Sequence, residues 1–128
     1  MNKFALETID AIKGKQRFEK LLVDGVCLFD EFEKNLEKKY KRNLQKIYYY
    51  MESVANNMSL PCTKFKDVTP DKETVKEYEF KDGDLRVYAI STYGGKIVVL
   101  GGYKNAQKAD FRHFRSIKKE YLKEVKKR

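Results

Sequence analysis

The chain lacks several of the groups that common catalytic sites are built from. It holds a single histidine, His113, so a two-histidine acid–base pair cannot form within it. Its two cysteines, Cys27 and Cys62, are far apart, and no CxxC spacing points to zinc or a redox pair. They read as reduced thiols of a cytoplasmic protein, at least one of them buried. No carboxylate cluster has an obvious metal spacing, so no metal or other cofactor is expected. No apolar run approaches the roughly 20 residues that span a bilayer, and no membrane partner is expected. Residues 1–10 have no basic segment leading into an apolar stretch, which argues against a secretion signal. Internal repeats and low-complexity linkers are also missing. At 128 residues the chain is long enough for one core, and 1–128 reads as a single domain.

What the chain has in abundance is charge. Lys and Arg number 28 against 19 Asp and Glu, a net of +9. Residues 103–128 alone hold ten Lys/Arg and three Asp/Glu, a net of +7. Such a patch draws polyanions or an acidic protein surface. A solvated face that only keeps the protein soluble has the same composition, so the placement of the charges must decide.

Residues 4–23 carry short apolar alternations on either side of Gly14, the pattern of two strands or a hairpin. In residues 28–58, Leu28, Phe32, Leu36 and Tyr40 recur every four residues. Leu44, Ile47, Met51, Val54 and Met58 continue at helical spacing. The polar stretch at 38–43 divides this span into two helices, expected to pack as a hairpin, and Asn56, Asn57 and Pro61 end it. Within it, Tyr48, Tyr49 and Tyr50 point in three directions and read as core and partner-contact residues.

Residues 75–80, 85–91 and 96–101 are rich in β-branched and aromatic residues and predict an antiparallel meander. Asp82-Gly83 and Gly94-Gly95 supply the turns. The segment 97–100 is apolar on both faces and should be covered on both. Residues 105–127 predict a last helix. Phe114, Ile117, Tyr121 and Val125 share one arc of about 80°, and Lys108, Arg112, Arg115, Lys119, Lys123 and Lys126 share another on roughly the opposite side. A continuous basic stripe of this kind suits a phosphate backbone. The expected fold is therefore α+β: a small twisted antiparallel sheet, an N-terminal helical hairpin and a basic C-terminal helix.

The stretch Tyr78-Glu79-Phe80-Lys81-Asp82-Gly83-Asp84-Leu85-Arg86-Val87-Tyr88 resembles the hairpin of the RelE/ParE toxin superfamily, with an arginine amid apolar residues on its second strand. Lys96-Ile97-Val98-Val99-Leu100-Gly101-Gly102-Tyr103-Lys104-Asn105 is similar to the next strand of the HigB-like branch, which runs into an aromatic–lysine pair and then a helix. The resemblance covers about residues 18–124, and only the meander is specific.

It implies a RelE-like toxin of a type II toxin–antitoxin pair, held in check by a cognate antitoxin of helix-turn-helix type. Many members cut mRNA on the ribosome and so block translation; the ParE branch instead inhibits DNA gyrase through protein contacts. Metal-free RNA cleavage needs a proton acceptor, a stabiliser of phosphate charge and a proton donor. The resemblance carries Arg86 and Lys104 over as phosphate-facing residues and Tyr103 as a base-stacking ring. His113, at the flank of the basic arc, is the easiest proton carrier. Lys108, Arg112, Arg115, Lys119 and Lys123 would position RNA. An ion pair of Arg86 with Glu79 or Asp84, and a core position for Tyr103, are the structural alternatives. Tyr121, in the middle of the apolar arc, reads as core.

Overall fold

The computed structural model describes residues 2–126. Seven strands form one sheet, joined by two helices on one face and one on the other. Strands β1 (Phe4–Thr8) and β2 (Arg17–Val23) make an antiparallel hairpin, and β3 (Val26–Cys27) folds back on β2. Helix α1 (Leu28–Lys34) follows directly. Its N-terminus is capped by the Cys27 sulfur, which accepts the Asp30 amide at 3.4 Å, and Asp30 and Glu31 sit at the positive end of its dipole. A 3₁₀ turn at Lys38–Tyr40 leads into α2 (Lys41–Ala55), so the break falls where the charged stretch predicts it. Helix α1 lies along the sheet rather than along α2. The two helices meet through the Phe29 and Tyr48 rings and a 2.6 Å hydrogen bond that Tyr48 donates to Glu33. Asn57, at φ 61°, turns the chain after α2.

The short strand β4 (Phe65–Asp67) is the far edge, next to β5 (Glu77–Asp82), β6 (Leu85–Thr92) and β7 (Gly95–Tyr103). The last three form the expected antiparallel meander. Its first turn centres on Gly83 and Asp84, one residue later than the dipeptide suggests, with Gly83 at φ 55°. The second centres on Tyr93 and Gly94. The sheet as a whole is mixed, because β2 pairs with β7 in parallel. A side chain at Gly95 would run into the Arg17 carbonyl, so only glycine permits that contact.

Both faces of β6 and β7 are covered. Leu85, Val87, Ala89 and Val98 pack with Phe29, Leu44, Ile47 and Met51 of α1 and α2. Tyr88, Ile90, Ile97, Val99 and Leu100 pack with Phe114, Ile117 and Tyr121 of α3 (Gln107–Lys126). A bulge leaves Val99 without a partner between Val98 and Leu100, which puts two consecutive apolar residues on the α3 side. The expected helix end at Lys127 lies outside the described residues.

Candidate nucleic-acid interface

Strand β7 outruns its parallel neighbour. Pairing with β2 stops at Val98, and beyond it α1 lies against β7. Gly101 makes this close approach possible, since a Cβ there would stand 2.5 Å from the Phe32 ring. Phe32 meets the Tyr103 ring at 5.5 Å, and Tyr103 meets Tyr40 of the 3₁₀ turn at 5.4 Å. Three rings from three elements thus gather at the end of β7, and two openings flank them.

The first opening, about 500 Å³, is lined by Glu37, Tyr40, Asp84, Tyr103, Lys104 and Asn105. Lys104 is exposed there, as are Lys38, Lys39 and Lys41 nearby in sequence to Tyr40. The Lys39 ammonium lies 5.1 Å from the centre of the Tyr40 ring. The Lys104 amide donates to the Asp84 carbonyl at 2.7 Å, and the Tyr40 hydroxyl reaches the Asp84 carboxylate at 3.3 Å. These bonds tie the β5–β6 turn to the end of β7. Burial, followed by nearby Glu37 and Tyr40, pushes the Tyr103 hydroxyl above its ordinary pKa.

The second opening, about 310 Å³, runs between α1 and α3 and includes Phe32, Asn35, Tyr103, Asp110 and His113 in its walls. Burial raises the Asp110 carboxyl, with His113 acting in the opposite sense. Tyr103 borders both openings, and His113 belongs only to the second.

The structure therefore brings Tyr103 and Lys104 into one cleft and places His113 in the adjoining one. Arg86 lies elsewhere. It shares a strand face with Tyr88, the face that α3 covers, and is only 8% exposed. One guanidinium nitrogen donates to the Gly83 and Leu85 carbonyls at 2.7 and 2.8 Å, and Nε has no partner. The guanidinium does not open to solvent as a phosphate-facing residue would, and the alternative ion pair with Glu79 or Asp84 does not form; Arg86 clasps its own turn.

On α3, Lys108, Arg112, Lys119 and Lys123 are exposed along one face. Arg115 leaves this row. Its Nε pairs with Glu77 at 3.0 Å, Nη2 donates to the Val68 carbonyl at 3.0 Å, and the group lies over the Phe111 ring. Tyr121 is in the core, as its arc predicts. Of the tyrosine triplet, Tyr49 is exposed, while Tyr48 and Tyr50 are tied to Glu33 and Asp82.

Sequence reasoning did not find Glu37, Tyr40, Asp84 or Asn105 as cleft residues. Tyr40 was legible only as the last member of an apolar series, and Asn105 only as the neighbour of Lys104. Among the described residues, no group of His, Cys, Asp or Glu is arranged to hold a metal ion, and no helix is long and apolar enough to cross a membrane. Comparison with protein-family models, with curated proteins and with solved structures finds no match to this chain.

Proposed function

We propose that this chain is the toxin of a type II toxin–antitoxin pair, a cytoplasmic, metal-independent endoribonuclease that cuts mRNA on the ribosome. The observation that carries this reading is the cleft in which Tyr40, Tyr103 and Lys104 meet, at the start of the helix that bears the exposed cations Lys108, Arg112, Lys119 and Lys123. Aromatic rings beside a cation suit a splayed base and its phosphate, and the α3 row suits the flanking backbone. Lys104 stabilises charge on the attacked phosphate, Tyr103 stacks on a base, and His113 serves proton transfer from the adjoining groove. Arg86 is a positioning residue: it holds the turn whose Asp84 carbonyl fixes Lys104. The same cationic surface suits an acidic face of an antitoxin.

One observation favours a second reading. Arg86 is buried and Arg115 is held by Glu77, which leaves few free guanidinium groups to stabilise charge on an attacked phosphate. A RelE-fold protein that inhibits a host enzyme such as DNA gyrase by contact alone needs none.

Inducing the chain without an antitoxin separates the two. An endoribonuclease should arrest growth and leave new transcript ends within coding regions. A gyrase inhibitor should leave DNA breaks and intact transcripts, and that result would overturn the first reading.

The α3 row has its own signature. Arg112→Ala and Lys119→Ala should each weaken RNA binding about equally for all sequences. Each should also flatten the salt dependence by roughly 0.7–0.9 in log–log slope, the contribution of one released counterion. Unchanged slopes across a salt titration would reduce the row to a solvated face.

A further inference from the structure

At the other end of β7 from the aromatic cleft lies a third pocket, built around Lys96. The ammonium of Lys96 is attached to a residue only 8% exposed. Its hydrogen bond goes to a neutral group, the Gln16 side-chain oxygen at 2.9 Å. The Gln16 amide is oriented by its own donors, which reach the Val54 carbonyl at 3.0 Å and the Asn57 side chain at 2.8 Å. The aromatic rings of Tyr78 and Phe65, stacked 5.0 Å apart, stand 4.9 and 5.9 Å from the charge.

No carboxylate pairs with Lys96 among the described residues. The contrast within the molecule is direct. Lys118, more deeply buried, has Glu77 at 2.8 Å and Glu73 at 3.4 Å, and Lys20 has Glu7 and Asp30. A buried charge ordinarily has a counter-ion, because ring faces and a neutral amide replace only part of the lost hydration. Burial accordingly lowers the affinity of Lys96 for its proton.

Lys96 also lines an open pocket of about 440 Å³, within the size range of small-molecule sites. Its other walls are mixed: Val54, Leu60 and Phe65, with the exposed side chain of Met58, are the apolar part, and Gln16, Asn57 and Ser59 are the polar part. A buried cation without a carboxylate, beside two aromatic rings and an apolar side of a mixed recess, favours one class of ligand: an anionic head on a body with an apolar side. We propose that this pocket binds a small organic carboxylate, whose carboxylate supplies the counter-ion that Lys96 lacks and whose body packs against Phe65, Val54 and Leu60. The site is separate from the RNA cleft and does not rest on the toxin reading.

The test uses the full chain with hexanoate and benzoate as probes, and hexanamide and benzamide as neutral counterparts of the same shape. Calorimetric titration should show saturable binding of at least one acid, at least tenfold tighter than its amide. Lys96→Met keeps the apolar stem and removes the charge, so acid binding should fall tenfold or more while thermal stability is kept or raised. In the parent protein with ¹³C-labelled lysine, the Lys96 Cε signal should shift with the same saturation curve, a readout that needs no variant to fold. Amides binding as well as acids, neither acid binding saturably, a Lys96→Met protein that binds like the parent, or a Lys96 signal that stays still during saturation would each overturn the assignment.

Discussion

Replacing Glu77 by Gln should destabilise the protein by about 3–5 kcal/mol, the usual cost of removing one partner of a buried ion pair. The substitution keeps the side-chain shape, so the loss reports charge and not a cavity. Glu77 is fully buried beneath α3 and pairs with Lys118 at 2.8 Å and with Arg115 at 3.0 Å. Lys118 is itself 2% exposed, and its remaining partners are the Val75 carbonyl at 2.7 Å and a largely exposed Glu73 at 3.4 Å. Without Glu77 its buried charge keeps only the more distant, solvent-exposed Glu73 carboxylate opposite it. Arg115 contributes less, because its side chain is 39% exposed and water screens the pair.

Glu77→Leu combined with Lys118→Met removes both charges and fills the same space. This double variant should recover most of the lost stability, since a well-packed apolar pair commonly replaces a buried ion pair at little cost. Urea unfolding with unchanged m-values would read both effects. A loss below about 1 kcal/mol for Glu77→Gln, against the 3–5 expected for a broken buried pair, would mean that the pair is hydrated and that α3 is held by its apolar contacts alone.

Lys118 also marks where a helical wheel is readable and where it stops. It lies four residues after Phe114 and three before Tyr121, about 20° outside the apolar arc at its Val125 edge, so the spacing places it beside the core. What spacing cannot supply is the partner, because Glu77 lies 41 residues away on a different element. Arg115 sits at the edge of the basic arc, and the same distant carboxylate draws it out of the exposed row.

The strands follow the same division. Alternation and turn glycines revealed the meander because those signals are local. Strands β3 and β4, of two and three residues, are too short to show a period. The parallel pairing of β2 with β7 joins residues nearly eighty positions apart and leaves no local mark beyond Gly95. Arg86 was legible as an arginine on a strand amid apolar residues. Its burial depends on α3 covering that face of β6, which is tertiary information. The aromatic–lysine pair fared differently, since Tyr103 and Lys104 end a strand and open into the cleft together. The rest of that cleft comes from the 3₁₀ turn before α2 and from the β5–β6 turn, two loops that only the folded sheet brings together.

On the proposed ribonuclease reading, Lys104→Met should slow RNA cleavage by about 10²-fold or more while leaving the melting temperature within a degree or two of the parent. When the 2′-hydroxyl attacks, the phosphate gains negative charge that it did not carry in the ground state. A cation fixed at the cleft lowers that barrier, and loss of one such stabilising donor commonly costs 10²–10³ in rate. Lys104 is suited to the role because its backbone is anchored by the Asp84 carbonyl at 2.7 Å while its side chain is exposed beside Tyr103. Its exposure also means that the fold does not depend on it.

Three companions divide the roles. Tyr103→Phe keeps the ring contacts with Phe32 and Tyr40 and removes only a protonated hydroxyl; cleavage should fall only if that proton goes to the leaving oxygen. His113→Ala should leave RNA binding intact and slow the chemical step by roughly 10²-fold if it carries a proton. Arg86→Met should act through the turn it clasps, so its activity loss should track a loss of stability, in contrast to Lys104→Met. Single-turnover cleavage on ribosomes, measured beside thermal melts for all four variants, gives the comparison. Parental cleavage rates for Lys104→Met and His113→Ala together would remove both residues from the chemistry and leave Tyr103 as the remaining candidate for proton transfer, whereas a parent protein that cuts no RNA would turn the reading toward inhibition by protein contact.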